Sequence, residues 1–338
     1  ANLITLAGFG VEAASNSLAA PSARLVTNPI PVDRTATNTA AAVARLALAE
    51  LIAENNLDPR AIQEWTRMKL TERGVIQKKR DGVKGETFDS SYKVQFHPVP
   101  PGKFMMGEKD KQVEVILTHS FEVMSTQVTQ KMWVDLMKEN PSHFQGPLNG
   151  DHPVENIRWW QAIEYANRLS IKLGLKPAYA FGANRNSEVK INAPDSDVYQ
   201  AEGYRLPTDA EAEYMRRAAD SASGEYHVGD REALLKNYAW YDANSVKKTH
   251  PVAELKPLII DGKAFYDLHG NVLEWDHDWR DGPKSGVYFR GPRSGFLRVL
   301  DHGAWGFSAL PLHSAYRVYV TPDRRLFSVG FRLVRTLK

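Results

Sequence analysis

Between residues 39 and 74 apolar positions recur at helical spacing. Val43, Leu46, Leu48, Leu51 and Ile52 form a stripe behind a Thr39 cap, and Asp58-Pro59 opens a second helix, RAIQEWTRMKLTERG, that ends near Gly74. The pattern predicts a helical hairpin over 38–75, preceded by an extended, unpatterned arm over 1–37 and followed by a polar linker over 76–91. From residue 92 the period shortens. YKVQFHPVPPGKFMMG alternates and then turns as a hairpin does, and VEVILTHSFEVM at 113–124 reads as another strand pair. Thr129 caps a helix, TQKMWVDLMKEN, with Trp133, Leu136 and Met137 on one face and Asn140-Pro141 as its stop. NIRWWQAIEYANRLSIKLG is a second helix, ending at Gly174, and Thr208 with Glu211 forms a capping box opening a third, AEAEYMRRAAD. Beyond Gly224 the periodicity fades into short apolar pieces between Gly, Pro, Asp and Asn. Backbone in such a region needs partners from side-chain networks, buried rings or an ion. The pattern is α+β with little regular secondary structure, in one domain over 92–338.

Composition narrows the function classes. The 338 residues are 43% hydrophobic and 25% charged, with a formal charge of +3. The longest basic run, KKR at 78–80, is too short for a nucleic-acid surface, and no segment approaches the ~20 apolar residues of a membrane span. There is no cysteine, which removes disulfides, thiolate metal sites and cysteine nucleophiles together. The opening ANLITLAGFGVEAASNSLAAPSA is small, neutral and starts with Ala. It predicts an exported chain, periplasmic or extracellular, with a cytoplasmic location left open.

The stretch FYDLHGNVLEWDHDW at 265–279 sets Asp267, Glu274, Asp276 and Asp278 beside Trp275 and Trp279, with no cap or strand alternation to explain them. Either the acids hold a cation or they rim a pocket; the plainer alternative is that Asp267 and Glu274 accept hydrogen bonds from loop amides. Farther on, His277, His302 and His313 with Asp276, Asp278 and Asp301 are the residue types of a non-haem iron site, although no HxxxH or HExxH spacing is present. Arg205 in GYRLPT and Arg332 in GFRLVR read as buried arginines tying loops through bidentate contacts. Trp133, Trp159, Trp240, Trp275 and Trp305 read as core. Arg317 is either a loop tie or a pocket cation.

Several phrases occur in order: VPPGKFMMGE, STQVTQKMWVDLMKENPSHFQG, HPVENIRWWQAIEYANRLS, GYRLPTDAEAEYMRRAA, THPVAELKP, DLHGNVLEW, HSAYR and GFRLVR. Together they resemble the formylglycine-generating enzyme (sulfatase-modifying factor) family over about residues 92–338. The resemblance implies an irregular fold of C-type-lectin type, in a divergent, cysteine-free member. It also implies a structural calcium at DLHGNVLEW, held by the side chains of Asp267 and Glu274 and the carbonyls of Gly270 and Val272. That donor set suits an ion that takes six to eight oxygens in a tight turn. Family enzymes bind copper through a cysteine pair near the segment matching DHGAWGFSALPLHSAYR. This chain lacks the pair, so copper- and cysteine-dependent formylglycine generation is excluded.

What remains is a non-copper, non-catalytic binding or scaffold protein of the cell envelope. Its expected pocket uses His277, His302, Trp305, His313 and Arg317, with Trp305 stacking a planar or sugar-like group and Arg317 meeting an anion. The expected partner is a protein or a small-molecule or glycan ligand, and the N-terminal hairpin offers a docking element. The alternative is a cysteine-independent oxidase or oxygenase resembling the pyoverdine-maturation or non-haem-iron members. Against the latter, ergothioneine-type iron members draw histidines from a helical bundle, and the 39–74 hairpin has none.

Overall fold

The computed structural model describes residues 95–337 except 183–188, 220–223 and 282–291, plus the backbone of short strand segments outside that range. Apart from backbone pairings at 5–12 and 88–89, the expected arm, hairpin and linker lie outside the described residues. The chain divides into two units, residues 1–82 and 83–338, and everything below concerns the second.

Strands β1 (Val94–Val99), β2 (Gly102–Met106), β3 (Val113–Leu117) and β4 (Phe121–Met124) fall where the alternation places them. Their pairing differs from the two hairpins expected. β2 pairs antiparallel with β3, whereas β1 pairs with β4, so each expected hairpin is split between two sheets. The Pro98, Pro100 and Pro101 cluster supplies the physical reason. Prolines lack the N–H that a tight hairpin at this corner would need, so the strand changes sheet.

Helix α1 (Gln130–Met137) starts where Thr129 Oγ1 accepts the Met132 N–H at 3.2 Å, and ends at Lys138 in the left-handed region, φ 69°. Helix α2 (Trp159–Lys172) packs against it: the Trp133 and Tyr165 rings stack at 5.6 Å and both meet Phe331 edge-on. Helix α3 (Asp209–Arg216) opens with the expected Thr208–Glu211 box and is buried on every side, its acids and arginine included. Polar residues at buried positions require partners; they become the centre of the site.

The region that looked irregular from sequence holds a four-stranded sheet. β5 (Leu273–Trp279) pairs antiparallel with β6 (Arg298–Asp301), which pairs with β7 (Val318–Val320). β8 (Val329–Gly330) lies parallel to β5, and β9 (Val334–Thr336) returns to β4 in the first sheet. β5 shows no alternation because both of its faces are covered, and a bulge between Trp275 and Trp279 breaks its register. Among the described residues three apolar cores result, one around Trp133, Trp159, Trp275 and Phe331, a second around Phe104, Phe121, Met215 and Phe265, and a smaller third around Tyr226, Leu235 and Leu312.

Candidate functional site

The turn entering β5 is built by three left-handed residues, Asp267 (φ 53°), Gly270 (φ 81°) and Asn271 (φ 60°). At Gly270 a Cβ would collide with the Trp240 carbonyl, so the backbone there tolerates no side chain. This curl aims the carbonyl oxygens of Asp267, Gly270 and Val272 at one point, where the Gln127 Nε2 lies 3.4, 3.3 and 3.1 Å from them. Asn271 braces the turn: its Oδ1 accepts the His250 N–H and its Nδ2 donates to the His250 carbonyl, both at 3.0 Å.

The two acids of the turn are buried. Glu274 accepts a fork from Arg332, whose Nε and Nη2 each lie 2.7 Å from a carboxylate oxygen; Nη2 also donates to the Asp267 carbonyl at 3.0 Å. Asp267 Oδ2 accepts the Ala253 N–H at 2.9 Å, as the plainer sequence reading allowed. Burial pushes the Asp267 carboxyl up to about 6, against the pull of Ala253 and Arg332. The converging carbonyls are oxygens of the kind a hard cation takes, and Asp267, Gly270, Val272 and Glu274 are the residues that could hold one, with the two carboxylates exchanging their bonds to Ala253 and Arg332 for the ion.

Beside the turn lies a buried ionic network. Arg317 Nε bonds both Asp209 oxygens at 2.7 and 2.9 Å, and its Nη2 meets Glu213 at 2.5 Å. Glu213 also accepts from Arg217 Nε at 2.7 Å and from the Gly107 N–H at 2.9 Å. Arg216 pairs with Asp301, which also contacts His302 Nδ1. His302 Nε2 stands 3.8 Å from Glu274, joining the network to the turn. Oxygens of Asp209, Asp276 and Asp301 lie within 4.8 Å of one another. Burial and the neighbouring Asp301 push the Asp276 carboxyl well above the usual carboxylate range. Against a burial that would raise it, Arg216 and His302 hold Asp301 well below that range.

The five residues expected to share a pocket are placed apart. His302 is fully buried, and Arg317 is bound to Asp209 and Glu213 as a loop tie. His277 sits half-buried, its Nδ1 3.4 Å from the Tyr179 hydroxyl, and burial with Arg298 and Arg205 holds it well below the usual histidine range. His313 lies 3.3 Å from Glu225 and edge-on to Tyr226. Trp305 is half-buried at the surface rather than core, with Phe144 edge-on at 5.3 Å and Phe327 stacked at 5.9 Å. Phe327 is 49% exposed, and His143 contacts both phenylalanines. A separate open cavity of about 580 Å³ is lined by Arg217, His227, Arg231, Tyr238, Leu258 and Ile259. Burial lowers His227 there to about 4.

Sequence reasoning missed Gln127, Asp209, Glu213, Arg216 and the Phe144–Phe327 rings. Only Glu213 and Arg217, four apart on one helix, left a readable signal.

With this fold and oxygen-lined turn in place, the chain belongs to the family of sulfatase-modifying factor enzyme 1-like domains, which matches residues 86–337. Treponema denticola variable protein 1 superposes with a TM-score of 0.65 at 33% identity, covering 76% of this chain and all of that one. The chaperone protein LppX of Paenibacillus barcinonensis is 31% identical over 210 residues, 55% of this chain and 72% of that protein. The serine/threonine-protein kinase pkn1 of Chlamydia caviae is 25% identical over 301 residues; the match takes in 86% of this chain but only 45% of that protein's length. Among the described residues no helix is long and apolar enough to cross a membrane.

Proposed function

We propose that this is a non-copper, non-catalytic binding protein of the periplasm or cell exterior that engages a partner protein through the aromatic face at Trp305. The observation that carries the reading is a contrast in placement. His302 and Arg317, which a reactive or anion-binding pocket would need, are closed into ion pairs, while Trp305, Phe144 and Phe327 stand together at the surface. Large rings on a rigid frame make contact area at little entropic cost. Leu148, half exposed, is a further apolar residue near Phe144 in the chain. The likeness to a protein named as a chaperone supports a protein ligand.

A calcium ion held by the side chains of Asp267 and Glu274 and the carbonyls of Gly270 and Val272 would organise the loop that carries Trp305. Its role is structural: it fixes backbone and takes no part in chemistry.

The test uses reduced insulin as an aggregating client. The wild-type chain should suppress its aggregation, and Trp305→Ala with Phe327→Ser should lose most of that effect while keeping the wild-type circular dichroism. A glycan array bound by the wild type and not by the double variant would move the same face to carbohydrate. Stoichiometric iron that disappears in His302→Ala and His313→Ala would sink the non-catalytic reading in favour of an oxidase.

A further inference from the structure

We infer that Gln127 is itself a ligand of the cation at the turn, its side-chain amide rotating end for end as the ion binds and leaves. The inference rests on the calcium reading above.

Gln127 is fully buried and follows β4, on the short segment that leads into α1. Its Nε2 faces three carbonyl oxygens, at 3.1 Å (Val272), 3.3 Å (Gly270) and 3.4 Å (Asp267). An amide nitrogen has two hydrogens, so three acceptors oversubscribe it, and two of the three contacts, to Gly270 and Asp267, are longer than an ordinary N–H···O bond. At the other end of the same amide, Oε1 is buried and has no hydrogen-bond partner. The two ends of a glutamine amide are nearly equal in shape, and a half-turn exchanges them.

Turned over, Oε1 would sit among three oxygens of like partial charge. That arrangement is unfavourable unless a positive charge stands between them. With a cation there, Oε1 and the three carbonyls would supply four oxygens, and the carboxylates of Asp267 and Glu274, engaged without the ion by Ala253 and Arg332, would turn further oxygens to it to reach calcium's usual six to eight. A neutral amide suits both states. It plugs the ring of carbonyls when no ion is bound and completes the cage when one is. A glutamate at 127 would favour the ion more strongly but leave a buried unpaired charge without it.

The experiment is calorimetric titration of calcium into chelator-stripped full chain, with thermal melts in calcium and in EGTA. Gln127→Glu should bind calcium about tenfold or more tighter than wild type yet melt lower in EGTA, and Gln127→Met, of similar size without the oxygen, should bind about tenfold weaker. Wild type that takes up no calcium would overturn the calcium reading and this inference together. Wild type that binds while both variants bind within about threefold of it would overturn the role of Gln127 alone. Should either variant fail to fold, the wild-type Gln127 side-chain amide resonances decide the matter. They should shift when calcium is added, and fixed resonances in a calcium-bound sample would refute the rotation.

Discussion

The backbone N–H of Trp305 donates to the carbonyl of Asn271 at 2.9 Å, so a surface ring and a buried turn are one hydrogen bond apart. Two further bonds tighten the link: the Gly270 N–H donates to the His302 carbonyl at 2.6 Å, and Ser245 Oγ donates to the Trp305 carbonyl at 2.6 Å. The orientation of the aromatic face is therefore set from beneath, by the conformation of residues 267–274.

Asn271→Ala should expose this dependence. The change strands the His250 N–H and carbonyl and puts a residue without a local polar side chain at φ 60°. We expect a loss of about 2–4 kcal/mol in urea unfolding, with a shift in Trp305 emission before global unfolding. A loss below about 1 kcal/mol would show that the bracing is dispensable.

Arg332→Lys should behave as a severe substitution despite keeping the charge. Lysine cannot reproduce the fork onto Glu274 or reach the Tyr266 and Asp267 carbonyls with the same planar group. Breaking a buried pair of this kind costs about 3–5 kcal/mol, read as a fall in denaturant midpoint at unchanged slope. Adding Glu274→Gln to the lysine variant should deepen the loss rather than relieve it, because it leaves a buried ammonium without its carboxylate.

Asp278 gives a pH signature. Burial, with Asp209 nearby, lifts its carboxyl to about 7, while in the unfolded chain it ionises near ~4. Between those values unfolding releases a proton, so this group lowers stability as pH rises, by up to about 1.4 kcal/mol per unit. His152 and His227, lowered to about 4 by burial, act the opposite way, adding stability as pH rises from ~4 to ~6.5. Asp278→Asn can still accept the Asp209 N–H through its amide oxygen. Its melting temperature should match wild type near pH 4 and exceed it near pH 7.5. A pH-independent difference would contradict the assignment.

The sequence made two of the helices legible through their start signals, Thr129 for α1 and Thr208 with Glu211 for α3, while α2 was readable from its apolar run and the Gly174 stop. It also placed Arg205 and Arg332 correctly as bidentate ties, onto Glu211 and Glu274. β5 was hidden because a strand covered on both faces has no alternation to read. The crossed pairing of β1–β4 was hidden for another reason: local pattern gives strands but not partners. Among site residues, Asp267 and Glu274 announced themselves through an acidic stretch. Gln127 lies some 140 positions from the carbonyls it meets, and nothing near it in the chain points to them. Trp305 read as core because a ring's identity says nothing about which of its faces is covered.

The pairing of β9 with β4 bears on the order of events during synthesis. Arg335 and Glu122, 213 positions apart, are joined by an ion pair on these neighbouring strands. β4 lies between β1 and β9 in its sheet, so the edge that β9 covers stays open from the moment β4 leaves the ribosome until β9 arrives. That interval is when a nascent chain of this fold is most exposed to pairing with a wrong strand. Such long-range closure also makes for slow folding, and a helper that shields the edge of β4 would raise the yield of folded protein more than one acting on the helices.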